Sequence, residues 1–187
     1  GVTHTPVAIR PAKRGDVPAI VGLFDDDDLS VGAYSSAGPP TRAEFSSAGP
    51  PTGDKPAHVT PSGAHYAAFD AIEADPNNQV FVAEIGGVVV GTFQLTFIRQ
   101  LSYGGCLVAQ VESVHVHSSV RSHGVGRMMM EFARTEAERR GAYRLQLTSN
   151  VKRERAHGFY ERLGYRATHK GMKLQLQPSA PKGKIET

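Results

Sequence analysis

Residues 107–117 read as a strand, and they run through Arg121-Ser122-His123-Gly124-Val125-Gly126 into the clearest helix of the chain, predicted over 124–140. Val125, Met128, Met129, Phe132, Ala133 and Ala137 fall on one stripe at helical spacing, with Arg127, Glu131, Arg134 and Glu138 opposite them. Arg139-Arg140 followed by Gly141 places cations in the last turn and a glycine just past it, a strong stop signal. A strand feeding an amphipathic helix across a glycine loop is the working unit of an α/β domain.

The remaining segments extend that unit. Residues 7–10 are strand-like, and Asp16 before Val17-Pro18 starts a helix whose apolar face is Ile20, Val21 and Phe24. It runs into Asp25-Asp26-Asp27-Asp28, four acids that the helix dipole disfavours there, so the helix is expected to end or bend. A helix over 64–74 is stopped by Asp75-Pro76-Asn77-Asn78. Residues 80–85 and 88–98 form a hairpin turning at Gly86-Gly87. A strand at 143–148, a helix at 152–163 ending at Gly164, and two short strands at 165–168 and 172–176 follow. This order predicts one domain over 1–187, of class α/β, with a mixed, mostly antiparallel sheet and helices on both faces. Between the first two helices, Ser35-Ser36-Ala37-Gly38-Pro39-Pro40-Thr41 recurs letter for letter as Ser46-Ser47-Ala48-Gly49-Pro50-Pro51-Thr52, and residues 35–61 are expected to be a flexible insertion.

Composition removes several function classes. The single cysteine, Cys106, can form neither an internal disulfide nor a multi-thiolate metal site, which fits a reducing compartment and a cytoplasmic location. The charge-free stretch 85–98 falls well short of the roughly 20 apolar residues that span a bilayer, and the first residues lack a charged segment followed by an apolar one, so neither a membrane partner nor a secretory signal is expected. The net charge is +3, but 21 basic residues are interleaved with 18 acidic ones and there is no Trp, which argues against a nucleic-acid partner. A homodimer is left open.

The loop at 121–126 has the chemistry of an anion cradle. Unpaired N–H groups at a helix start point outward, the dipole favours negative charge, and Gly124 and Gly126 let a phosphate approach the backbone. A P-loop would need Lys-Ser or Lys-Thr where Arg127-Met128 stand, and a dinucleotide fingerprint would need a glycine where Met129 stands. His115, His117 and His123 lack a nearby thiolate or a clear further ligand, so no metal is expected, and Cys106 is expected to be a buried thiol rather than a nucleophile.

The arginine, the two glycines and the preceding strand, with Phe159-Tyr160-Glu161-Arg162-Leu163-Gly164-Tyr165 about thirty residues later, resemble the GNAT superfamily of acyl-CoA-dependent N-acetyltransferases. The resemblance is strong over 80–176, weaker over 7–24 and absent across 35–61. It implies acetyl-CoA as co-substrate, with Arg121, Ser122, His123, Gly124, Val125 and Gly126 on its pyrophosphate and the backbone around Val114 and Val116 along its pantetheine arm. Glu112 and Gln110 match the position of the catalytic base, which only the carboxylate can serve, and Tyr160 matches the tyrosine that protonates the departing thiolate. Arg153 stands where many relatives carry an asparagine that contacts the cofactor. The implied activity is acetyl transfer to a primary amine, with a small-molecule acceptor favoured over a protein lysine because no peptide-reading motif accompanies the unit. A catalytically inert acyl-CoA-binding regulatory module is the alternative.

Overall fold

The computed structural model describes residues 5–25, 60–174 and 176. Strand β1 (Val7–Pro11) leads through a 3-10 turn (Arg14–Asp16) into α1 (Val17–Asp25). Helix α2 (Gly63–Ala74) is followed by β2 (Asn78–Ile85), β3 (Val88–Arg99) and β4 (Leu107–Val116), then by α3 (Val125–Arg139), β5 (Arg144–Leu147) and α4 (Glu154–Arg162). The insertion expected at 35–61 lies outside the described residues except for Thr60 and Pro61, and Asp26, Asp27 and Asp28 lie outside them too.

The five strands lie in chain order, β1 to β4 antiparallel and β5 parallel to β4. The β2–β3 turn is possible because Gly86 and Gly87 adopt φ of 57° and 83°, a combination that matches the twist of a two-residue hairpin. Side chains then alternate between faces. Val80 and Val82 join Val17, Ile20, Val21 and Phe69 beneath α1 and α2. Phe81, Ala83, Phe93, Leu95, Ala109 and Val111 pack against α3 and α4 on the other face. The rings of Phe81 and Phe93 stack 5.1 Å apart, with Phe132 of α3 edge-on to Phe81 at 5.1 Å. Helix α3 buries Val125, Met129, Met130, Ala133 and Ala137, so its inward stripe is turned slightly from the sequence expectation: Met130 takes the core position and Met128 is only half-buried. Its outer face carries the ion pairs Arg127–Glu131 and Arg134–Glu138.

The expectation of two closing strands is corrected. Among the described residues no strand follows α4, and Met172 and Leu174 are 90% and 85% exposed. The apolar alternation there has no face to bury, because β5 is only four residues long and its outer edge carries no ladder. The segment still runs beside the end of β5, where a Cβ on Gly171 would lie 3.8 Å from Thr148 Cγ2. No helix among the described residues is long and apolar enough to cross a membrane.

Candidate active site

Strand β5 pairs with β4 only from Val108–Arg144 to Val111–Leu147, while β4 continues to Val116. Beyond Val111, the edge of β4 that faced β5 has no strand beside it among the described residues, so outward-pointing backbone N–H and C=O groups are left without a ladder. A bulge falls in the same stretch: Gln94 opposes Glu112 and Thr92 opposes His115, so Ser113 and Val114 share one place across from Phe93, and Ser113 takes a φ of 51°. The bulge reverses the facing of β4. Glu112 is exposed on the side opposite α3, whereas Val114 and Val116 turn back into the α3–α4 core. His115 faces α1, its ring 4.9 Å from that of Phe24.

The chain leaves β4 through a 3-10 turn (Ser118–Val120) anchored by the buried Val120, and then makes the 121–126 loop. Arg121 folds back, its Nε donating to the Val116 carbonyl at 3.2 Å. Ser122 and Gly124 both adopt left-handed backbone, with φ of 75° and 80°. Helix α3 closes its first bond from the Met128 N–H to the Gly124 carbonyl, so the N–H groups of Gly124, Val125 and Gly126 find no acceptor among the described residues. A Cβ built on Gly124 would meet nothing within 4 Å, and no acidic residue occupies the first turn. The Val125 side chain is buried, so only its backbone can meet a ligand.

The proposed acid and base positions sit on opposite sides of the sheet. Glu112 ends a polar row: Gln146 Nε2 donates to Gln110 Oε1 at 2.7 Å, and Gln110 Nε2 donates to Glu112 Oε1 at 2.8 Å. Tyr160 is on the inward face of α4, in the core, its ring 5.6 Å from Tyr165. Burial pushes the Tyr160 hydroxyl up to about 12, against a downward pull from the Arg153 charge. The Tyr160 oxygen is not among the buried atoms that lack a partner, and no group among the described residues hydrogen-bonds it, so the hydroxyl reaches the surface of the described residues from an otherwise buried ring.

Among the described residues, two buried side-chain polar atoms have no hydrogen-bond partner: Ser149 Oγ and Arg153 Nη2, both in the connection from β5 to α4. Sequence reasoning passed over Ser149 altogether. The spacing of Arg153 and Tyr160, seven residues on one helical face, was the readable signal for a joint role. His115, His117 and His123 are drawn to different partners: Phe24, Ser119 and the Arg121 carbonyl respectively. Among the described residues no three His, Cys, Asp or Glu side chains gather closely enough to hold a metal. Cys106 is half-buried rather than buried, because it ends the turn between β3 and β4, its Sγ 3.8 Å from Gln100 Oε1.

Residues 48–165 match the sequence profile of the acetyltransferase (GNAT) family. The chain is 32% identical over 101 residues to aminoalkylphosphonate N-acetyltransferase of Salmonella typhimurium, covering 54% of this chain and 65% of that protein. It is also 32% identical over 98 residues to glucosamine 6-phosphate N-acetyltransferase of Trypanosoma brucei brucei, covering 52% and 65%. The chain thus spans about two thirds of the length of these curated relatives, a little under in both cases. Among solved structures, a transcriptional regulator from Bacillus halodurans superposes with a TM-score of 0.73 at 32% identity, over 91% of this chain and 100% of that one.

Proposed function

The chain belongs to the acetyltransferase (GNAT) family, and on that premise we propose that it moves an acetyl group from acetyl-CoA to the primary amine of a small molecule by direct attack in a ternary complex. The observation that carries this reading is the continuity of the unladdered edge of β4 with three N–H groups lacking acceptors at the start of α3. A nucleotide thioester needs both: backbone partners along an amide-bearing arm, and donors in open space for phosphates. The space above Gly124 and the absence of acidic groups in the first turn fit the second need. In this reading Arg121, Ser122, His123, Gly124, Val125 and Gly126 hold the pyrophosphate, and the backbone near Val114 and Val116 lines the arm.

When bound, acetyl-CoA supplies an activated acyl group. The residues of the chain supply proton handling and orientation. An alkylamine titrates near about 10.4 and must lose a proton before it attacks. Glu112 is exposed, and Gln110 engages its Oε1 while no group among the described residues engages its Oε2, which leaves it able to take that proton directly or through water. A strand N–H near Val114 stabilises the developing oxyanion. Tyr160 remains protonated across the working pH range and donates a hydrogen bond to the departing sulfur.

Both curated relatives bear names whose acceptors are amines carrying a phosphonate or a phosphate, and we extend that class to this chain. A second reading, an acyl-CoA-binding regulatory module that does not consume its ligand, is favoured by the similarity to the Bacillus halodurans transcriptional regulator. Thiol release from acetyl-CoA, followed with an amine panel that includes an aminoalkylphosphonate and glucosamine 6-phosphate, separates the two. Amine-dependent release supports transfer, whereas tight acetyl-CoA binding with no release for any amine supports the module.

A further inference from the structure

Arg153 precedes α4 with its backbone secured at both ends: its N–H donates to the Asn150 carbonyl at 3.0 Å, and its carbonyl accepts from the His157 N–H at 3.1 Å. Its side chain is not secured. Arg10, Arg127, Arg134 and Arg139 each meet a carboxylate, whereas Arg153 Nη2 is buried with no partner among the described residues. A guanidinium is a permanent cation with five N–H donors, and a buried donor left unsatisfied is destabilising, more so when it is charged. A fold bears such a cost where an anion completes the site. Seven residues on, along the same helical face, stands the Tyr160 hydroxyl, itself without a partner among the described residues and reaching their surface from a buried ring.

We propose that Arg153 and the Tyr160 hydroxyl together form the site that receives the sulfur of CoA as a thiolate, with Arg153 carrying its charge. The proposal rests on the acetyl-transfer reading above. As the amine nitrogen bonds to the acetyl carbon, the carbon–sulfur bond breaks and its electron pair stays on sulfur. The amine proton goes to Glu112 or to water, and the sulfur takes a proton from solvent as CoA departs. Tyr160 donates a hydrogen bond and keeps its proton, because a thiolate whose acid titrates near about 8.5, as for cysteine, does not deprotonate a phenol held at about 12. A hydrogen bond alone leaves the charge uncompensated, and the fixed cation of Arg153 supplies the compensation.

The test needs no acceptor. CoA is bound to the full chain, and the ionisation of its thiol is followed by the ultraviolet absorbance of the thiolate as pH is raised. The expected result is a bound thiol that ionises at least one pH unit below free CoA, a shift mostly lost in Arg153→Gln, mostly kept in Arg153→Lys and reduced in Tyr160→Phe. Arg153→Met, which preserves the apolar stem, replaces the glutamine variant if that one does not melt cooperatively. A wild-type bound thiol that ionises like free CoA overturns the proposal, as does a lowered one that neither neutral variant restores. Failure of CoA to bind wild-type protein at all would instead overturn the acetyl-transfer reading on which the proposal rests.

Discussion

The Nε of Arg121 donates to the carbonyl of Val116 at 3.2 Å, which ties the anion-cradle loop to the last residue of β4. The interaction makes the arginine a strut as well as a cation. Arg121→Ala is therefore expected to loosen the loop and to weaken acetyl-CoA binding about 10- to 100-fold, the range a hydrogen bond to a charged group covers. Arg121→Lys keeps the charge without the guanidinium fork and should fall between the two. Calorimetric titration with acetyl-CoA checks the order, and equal affinities in all three proteins would remove Arg121 from the site.

Gly91 of β3 lies directly against Met129 of α3. A Cβ built there would lie 2.6 Å from Met129 Sδ and 3.4 Å from both Ala83 Cβ and the His115 carbonyl. Met129 is fully buried and has little room to swing away. Gly91→Ala should therefore cost about 1–3 kcal/mol in denaturant unfolding through overpacking, and trimming the partner in Gly91→Ala with Met129→Ala should recover part of it. Unchanged stability in the single variant would show that α3 sits further from the sheet.

Tyr160→Phe keeps the ring that fills the core and deletes only the hydroxyl. Acetyl-CoA affinity should persist while kcat falls about 10- to 100-fold, the value of a hydrogen bond made to charge developing in the transition state. Glu112→Gln retains shape and loses basicity, so the acidic limb of kcat/KM should move or vanish. Wild-type turnover in Tyr160→Phe would contradict the role given to the hydroxyl.

Acid sensitivity should centre on Asp16. Hydrogen bonds from Arg10, and a further one from the Lys13 N–H, hold its carboxyl below the usual carboxylate range against the opposing effect of burial. A depressed carboxyl stabilises the fold above its unfolded pKa of about 3.9, and that contribution fades as pH falls through the lower folded-state value. Asp16→Asn should thus be about 1–2 kcal/mol less stable at neutral pH, with the difference from wild type closing in strong acid. A constant difference across that range would assign the loss to packing instead of charge.

How far the letters alone reach depends on whether a feature is written locally. The Gly86-Gly87 hairpin and helix α3 follow from residues a few places apart, and the structure has both. The break in β4 pairing is equally plain in the coordinates yet invisible in sequence, because Ser113 becomes a bulge only through its register with β3. The expected strand at 172–176 failed for a related reason: alternation signals a face that can be buried, not the neighbour that buries it. Arg153 shows the limit most clearly. Its departure from the family pattern is legible as a letter, but that its Nη2 lies buried and, among the described residues, unpartnered depends on how the β5–α4 connection folds.

In the proposed function, the unladdered edge of β4 and the start of α3 form a single acetyl-CoA site. Amide hydrogen exchange with and without acetyl-CoA tests it most directly, since N–H groups without acceptors exchange rapidly until a ligand supplies one. The predicted result is strong slowing confined to two stretches, residues 113–116 and 124–126, with the outer face of α3 unchanged. Slowing elsewhere in the sheet, with those two stretches exchanging as fast as in the free protein, would contradict it.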